Sequence, residues 1–139
     1  MAGSVLTDAG FLVALLSRRD SNHRWAVSQA GLFPLPWQTC EAALSEAFHL
    51  LGARGRPALS TLLSRQALAV AFDLGADLDS VLKMMKKYGD VPASLADACL
   101  VRMTEVHADP IVLTTDADFR LYRRHGRQAV PCAMPADSH

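Results

Sequence analysis

The chain alternates short apolar runs with longer segments in which hydrophobic residues recur at helical spacing. The apolar runs have the length of buried strands and lie at 4–7, 35–40, 67–72, 111–114 and 129–134. The segments between them predict helices at 10–16, 22–30, 41–53, 57–64, 78–88 and 94–107, and a polar turn or short helix at 116–125. Strands and helices therefore alternate along the chain.

The strand runs SVLT and IVLTT carry apolar residues on both of their alternating faces, which is typical of strands covered by helices on both sides. Together with the alternation of elements, this favours an α/β fold with a parallel sheet. The 139 residues, half of them hydrophobic, suit a single domain, 1–139, with one core. We expect this core to be stable without a structural metal or a disulfide.

Charge and cysteine content narrow the function classes. The 14 Lys and Arg residues balance 14 Asp and Glu residues, which argues against a protein that coats nucleic acid through its overall charge but allows a local basic rim. The three cysteines form no CxxC pair, which argues against a zinc ribbon or a redox dithiol and favours a reducing compartment. The apolar run 11–16 is too short for a signal core or a membrane span, so we expect a cytoplasmic protein with no membrane association.

Acidic residues follow the predicted strands at the end where a parallel sheet binds its ligands. Asp8 follows the first strand, and Asp116 and Asp118 follow the fourth. Asp97 lies in the first turn of the helix that precedes the fourth strand. Individually these residues have simpler explanations, since Asp8 suits a helix cap, Asp97 a partner of the helix dipole, and the Asp116–Asp118 pair a solvated turn.

Glu41 and Glu46 follow the second strand and compete for one place in this group. They are five residues apart, or about 140° around a helix, so both cannot point at one ion from regular helical positions. Glu46 has the better spacing, whereas Glu41 lies nearer the strand end, where it could cap or bridge. Carboxylates gathered at one sheet edge repel one another unless divalent cations neutralise them. Ligands that are all oxygen suit Mg²⁺ or Mn²⁺ better than zinc.

The ordered set of acids resembles the site of PIN-domain nucleases and is most similar to the VapC-type toxins of bacterial toxin–antitoxin pairs. The resemblance rests on Asp8 after SVLT, Glu46 in CEAALSEAFHLL, Asp97 in SLADACLVRM, and Asp116 with Asp118 in IVLTTDADFRLYRR, and it spans nearly the whole chain. It implies a three-layer α/β/α sandwich with a mostly parallel sheet of four to five strands. It also implies a Mg²⁺- or Mn²⁺-dependent endoribonuclease that forms a homodimer and is blocked by a cognate antitoxin.

Carried over to this chain, the resemblance implies that Asp8, Glu46, Asp97 and Asp116 form the acidic quartet. The metal would be bound by Asp8, Asp97 and Asp116, with Asp118 as an auxiliary ligand. One position departs from the family, which often has Thr or Ser directly after the first Asp, because this chain has Ala9 there. A hydroxyl from Thr115 is the expected replacement, and Glu41 is a further candidate for a supporting role.

The chemistry of phosphodiester hydrolysis agrees with this interpretation. Cleavage needs an activated water and neutralisation of the phosphate charge, both of which a carboxylate-bound metal supplies. The candidates for holding the RNA phosphates directly follow Asp118, and they are Arg120, Arg123 and Arg124, with His125 and Arg127 beyond them. A solvated helix face explains any one of these basic residues equally well.

Two other classes of protein remain open. A PIN-like domain that has lost turnover would keep the fold and bind protein or RNA, and Ala9 is the feature that favours it. A receiver or phosphatase-type α/β domain also gathers Asp residues at strand ends. The phosphatase class needs a second Asp two residues after Asp8, where this chain has Gly10, and a receiver needs a Lys soon after a late strand, which is missing after 111–114.

Overall fold

The computed structural model describes residues 3–88, 90 and 92–136. These residues form a parallel sheet with helices on both faces, together with a two-stranded antiparallel hairpin. The strands are β1 (Ser4–Thr7), β2 (Trp37–Thr39), β3 (Leu68–Val70), β4 (Pro110–Leu113), β5 (Arg123–Arg124), β6 (Gln128–Ala129) and β7 (Cys132–Ala133). The helices are α1 (Ala9–Leu16), α2 (His23–Ala30), α3 (Glu41–Ser64), α4 (Leu74–Lys87) and α5 (Leu95–Val106), with a 3-10 turn at Ala117–Arg120.

The sheet has five parallel strands in the order β3-β2-β1-β4-β7. β1 and β4 are its central pair, and their register runs from Ser4 opposite Pro110 to Thr7 opposite Leu113. Since all five strands point the same way, the residues that follow β1 and β4 emerge next to each other at one edge of the sheet. The prediction of a parallel α/β sheet covered on both faces is confirmed.

Alternation along the central strands divides the core into two layers. Leu6 and Val112 face a cluster built mainly from α4 and α5, in which Leu100 and Met103 are fully buried. Their neighbours along the strands, Val5 and Leu113, face a second cluster built from α1, α2 and α3. The apolar character of both strand faces thus follows from the presence of helices on both sides.

The two helices predicted at 41–53 and 57–64 are both present within α3, separated by a kink at Gly52, which adopts φ 62° and ψ −166°. Two other elements differ from the sequence-based expectation. The helix predicted at 78–88 is preceded in α4 by a turn that begins at Leu74, where the Asp73 side chain accepts a hydrogen bond from the Ala76 amide, and Asp77, with non-helical φ −110° and ψ 16°, lies between the two. The strand predicted at 129–134 is shortened to β7, because residues 128–129 pair instead with Arg123–Arg124 in the hairpin.

Within the described ranges, no helix combines the length and the apolar character that a bilayer span requires. Cys40 and Cys99 are buried in the layer between the sheet and α5, where they pack as small apolar residues.

Candidate active site

Four of the predicted acids line one cleft at the carboxyl end of the central strands. The cleft has a volume of about 110 Å³, and its polar wall consists of Asp8, Glu46, Asp97 and Asp116. Its remaining lining residues are small or aliphatic, namely Ala9, Gly10, Leu50 and Ala96. The acids come from four separate segments of the chain, which the parallel topology brings together.

Asp8 occupies the turn between β1 and α1 and is only 5% exposed. Its Oδ1 accepts a hydrogen bond from the Phe11 amide at 2.8 Å, so the residue does cap α1. Its Oδ2 accepts a hydrogen bond from the Thr114 hydroxyl. Asp8 can therefore both cap α1 and line the cleft, because the cap engages one carboxylate oxygen while the side chain still borders the cleft.

Thr114 joins the two central strand ends through one oxygen atom. Besides donating to Asp8, its Oγ1 accepts a hydrogen bond from the Asp116 amide at 2.9 Å. Asp116 in turn accepts a hydrogen bond from the Asp118 amide through Oδ1 at 2.9 Å, which starts the 3-10 turn. The hydroxyl of Thr114 thus fixes the backbone that carries Asp116 relative to the carboxylate of Asp8.

Asp97 lies in the first turn of α5, which Ser94 caps as predicted. The Ser94 hydroxyl accepts a hydrogen bond from the Asp97 amide at 3.0 Å and caps the helix. The buried hydroxyl of Tyr122 donates to Asp97 Oδ2 at 2.9 Å. This contact ties the carboxylate to the segment after the 3-10 turn.

The structure distinguishes Glu46 from Glu41, the two candidates for one place in the acidic group. Glu46 lines the cleft from the second turn of α3, whereas Glu41, in the exposed first turn, is not among its lining residues. Asp118 also does not line the cleft, although its amide holds Asp116. Thr115 lies beside Gly10, where an added Cβ would collide with the Thr115 hydroxyl.

Mutual repulsion and burial perturb the two most enclosed carboxylates. Burial raises the pKa of Asp8 from 3.8 to about 7, in spite of the hydrogen bonds from Thr114 and Phe11, and the charges of Asp97 and Asp116 raise it further. Burial likewise raises the pKa of Asp97 from 3.8 to about 6, with additional repulsion from Asp116 and Glu46. Without a counter-ion, the cleft therefore holds protons close to neutral pH.

The hydroxyl of Tyr122 responds to the same charges. Burial and the neighbouring charge of Asp97 raise the pKa of the phenol, so it stays protonated and remains a hydrogen-bond donor. The ring of Tyr122 is held in place by edge contact with Phe119 and by a tilted contact with Tyr88. A fixed donor on one oxygen of Asp97 restricts the orientations that this carboxylate can adopt.

The basic residues after Asp118 are placed differently from one another. Arg120 is exposed and borders a neighbouring cleft together with Thr115. Arg123 donates through Nη1 to the carbonyl oxygens of Arg120 and Tyr122, at 2.7 and 2.9 Å. Arg124 donates through Nη2 to the Thr104 carbonyl. Two of the three predicted phosphate ligands thus bond the protein's own backbone.

The donor set of the cleft consists only of carboxylates, which suits a hard cation such as Mg²⁺ or Mn²⁺. Across the part of the chain that is described, however, no three His, Cys, Asp or Glu residues already converge closely enough to hold a metal ion. Mg²⁺ in enzymes is commonly held by one or two carboxylates, with waters and substrate phosphate completing its coordination. The cleft fits this open mode of binding, and not a closed cage of protein ligands.

Thr114 and Tyr122 support the acids but were not among the residues singled out from the sequence. The signal for Thr114 is the strand register, because Thr7 pairs with Leu113 and the next residues, Asp8 and Thr114, are therefore side by side. The signal for Tyr122 is weaker, since it lies 25 residues after Asp97 and nothing local connects them.

The comparisons with known proteins give one result. The sequence matches no protein-family model and no curated protein. Among solved structures, the chain is similar to VapC20 of Mycobacterium tuberculosis, described as a toxin that cleaves the sarcin–ricin loop, with a TM-score of 0.69 and 19% identity. The similarity covers 83% of this chain and 92% of that chain. The chain therefore has the fold of a VapC-type PIN domain, a three-layer α/β/α sandwich on a five-stranded parallel sheet, as the resemblance in its sequence implied.

Proposed function

We propose that this protein is a Mg²⁺- or Mn²⁺-dependent endoribonuclease and the toxin of a toxin–antitoxin pair. The observation that carries the proposal is the cleft in which Asp8, Glu46, Asp97 and Asp116 meet at the carboxyl end of β1 and β4. Similarity of fold to a ribonuclease toxin supports the same conclusion.

In this proposal, the carboxylates of Asp8, Asp97 and Asp116 would hold the cation and Glu46 assists them, while the amide of Asp118, which lies outside the cleft lining, keeps Asp116 in place. A bound Mg²⁺ or Mn²⁺ supplies an acidified water and offsets the charge of the scissile phosphate. Thr114 and Tyr122 keep Asp8 and Asp97 oriented through their hydroxyl groups.

Substitutions of the two most enclosed acids test the proposal. Asp8→Asn and Asp97→Asn are each expected to abolish cleavage in the presence of Mn²⁺ while the circular dichroism spectrum stays that of the wild type. Asp79→Asn, on the exposed face of α4, is the matched control and is expected to cleave normally. Suitable substrates are transfer RNA, messenger RNA and a sarcin–ricin-loop hairpin. Wild-type cleavage that persists in both Asp variants would refute the assignment of the site.

A second candidate function is a PIN-like binding module without turnover. The observation that favours it is Ala9, at a position where the family often has a hydroxyl. Failure of the wild-type protein to cleave any of these RNAs with Mn²⁺ would support this function over the nuclease.

The partner proposals follow from the same function. We expect an antitoxin to inhibit the protein by placing a basic side chain among the cleft acids, and we expect the protein to act as a homodimer in the cytoplasm. Co-expression with the product of the adjacent reading frame, followed by co-purification, tests the first expectation. Sedimentation of the isolated protein tests the second.

A further inference from the structure

A second cleft, lined by arginines, lies along the same two helices as the acidic cleft. We name it the arginine cleft. Arg18 and Arg19 border it from the end of α1, and Arg54 borders it from α3, over a floor formed by Leu16, Leu51 and Gly55. Its volume is about 400 Å³, which is larger than that of the acidic cleft. The two clefts are neighbours along α3, since Leu50 lines the acidic cleft and Leu51 lines the arginine cleft.

No described residue supplies a counter-ion to the three guanidinium groups. Within the described residues, both ion pairs involve Arg102, and the side chains of Arg18, Arg19 and Arg54 form neither an ion pair nor a hydrogen bond. All three are exposed. Three unpaired arginines around one concave surface repel one another, and an anionic ligand would relieve that repulsion. Guanidinium groups bind phosphate oxygens in a bidentate manner.

The break at Gly52 places the third arginine. Gly52 has φ 62° and ψ −166°, a conformation that is open to glycine alone, and it redirects the chain two residues before Arg54. Gly55 packs so closely on Leu51 that an added Cβ would lie 2.7 Å from its side chain. The backbone of α3 at Gly55 therefore lies close to the Leu51 side chain on the floor of the cleft, next to the residue that carries the third arginine side chain, Arg54.

The two clefts lie within reach of one RNA strand. Gly10 lines the acidic cleft and Ser17 lines the arginine cleft, and these two residues are about 10 Å apart along α1 at a helical rise of about 1.5 Å per residue. A strand whose scissile phosphate lies in the acidic cleft therefore reaches the arginine cleft within a few nucleotides. The acidic cleft repels a polyanion, and cations at this distance would offset that repulsion.

We propose that the arginine cleft binds the phosphates of an RNA strand a few nucleotides from the scissile bond. This inference rests on the proposed ribonuclease function, and it assigns the main contact with the substrate backbone to Arg18, Arg19 and Arg54. Arg123 and Arg124, which bond backbone carbonyls of the protein, have no part in it.

The test compares the triple variant Arg18→Gln, Arg19→Gln, Arg54→Gln with a charge-matched triple, Arg65→Gln, Lys83→Gln, Lys86→Gln. The residues of the control are exposed, and their side chains form no ion pair or hydrogen bond with any described residue. Binding of a fluorescently labelled single-stranded RNA is measured by anisotropy in EDTA, where no cleavage occurs, across a series of salt concentrations. Thermal unfolding checks that both triples fold.

The cleft triple is expected to bind RNA about 10- to 100-fold more weakly than the wild type, with a salt slope reduced by about 2. The control triple is expected to change the affinity by less than about threefold. Equal affinities for the two triples would overturn the proposal, as would a wild-type protein that binds no RNA. Loss of antitoxin binding with unchanged RNA binding would also overturn it, in favour of an acidic protein partner.

Failure of this inference can be told apart from failure of the nuclease function. If the wild type binds RNA through the arginine cleft but cleaves none with Mn²⁺, the cleft is supported and the nuclease is refuted. If the wild type cleaves RNA and the cleft triple binds as the wild type does, the arginine cleft alone is refuted.

Discussion

The perturbed carboxylate of Asp8 makes the stability of the metal-free protein depend on pH. In the unfolded chain Asp8 ionises near its usual pKa of 3.8, whereas burial raises its pKa in the fold to about 7. Between these values the folded state holds one more proton than the unfolded state. The free energy of unfolding therefore falls as the pH rises from about 4 to about 7 and levels off above that range.

The size of the effect follows from the same shift. Each tenfold change in proton affinity corresponds to about 1.4 kcal/mol, so the pKa change of Asp8 from 3.8 to about 7 gives an upper value of about 4 kcal/mol. Asp8→Asn removes this penalty and keeps a side chain of the same size. We expect the variant to exceed the wild type in stability by about 2–4 kcal/mol at pH 8 and by less than about 1 kcal/mol at pH 4.

Urea unfolding in EDTA at several pH values measures this difference. Asp79→Asn, on the exposed face of α4, serves as the control and is expected to follow the wild-type pH profile. The reasoning would be refuted by a wild-type stability that stays constant from pH 4 to 8. An Asp8→Asn variant with the same slope as the wild type would refute it equally.

The remaining predictions concern metal binding and three supporting residues. At pH 8, Mn²⁺ should raise the wild-type Tm but raise that of Asp8→Asn much less, which calorimetry can measure. Thr114→Val removes the hydroxyl that bonds Asp8 and should lower stability by about 1–3 kcal/mol and slow RNA cleavage, while Thr114→Ser keeps both. Tyr122→Phe removes a donor to a carboxylate; we expect a loss of about 1–2 kcal/mol in urea unfolding and a lower kcat. Gly52→Ala forces alanine into φ 62° and should cost about 1–3 kcal/mol, whereas Gly31→Ala, at φ −75°, should cost less than about 1 kcal/mol.

The grouping of the acids could be predicted because its signals are local. Asp8 and Asp116 stand directly after apolar strand runs, and Asp97 stands three residues after the Ser94 cap. In a parallel sheet the carboxyl ends of all strands lie at one edge, so this prediction did not require the strand register. The choice of Glu46 over Glu41 rested on spacing and on the resemblance to PIN-domain nucleases, and it is Glu46 that lines the cleft. Their roles in metal binding stay predictions.

What escaped prediction depends on register and on distant contacts. Thr114 bonds Asp8 only because β1 and β4 pair with Thr7 opposite Leu113, a match that no local pattern encodes. The guanidinium of Arg124 reaches a carbonyl oxygen on α5, at Thr104, and the sequence carries no sign of this contact. A charged side chain can bond the protein itself as readily as a ligand, so arginine runs predict phosphate contacts poorly.

The hairpin formed by β5 and β6 was also not predicted from the sequence. The apolar positions after 129 predicted one strand, but His125 and Gly126 adopt positive φ values of 51° and 79° and turn the chain back on itself. Arg123–Arg124 then pairs with Gln128–Ala129, and only Cys132–Ala133 is left for the main sheet. A tight turn between polar residues gives little hydrophobic signal, so the periodicity could not reveal it.

The pairing of β1 with β4 has a consequence for the order in which the molecule is assembled. Ser4 meets Pro110, so the central pair of the sheet closes a loop of more than a hundred residues. Contacts of such high sequence separation form slowly, and they require the C-terminal part of the chain. Asp8 and Asp116 therefore come together only when β4 has docked, and a nascent chain that has not yet reached residue 110 contains no acidic cleft.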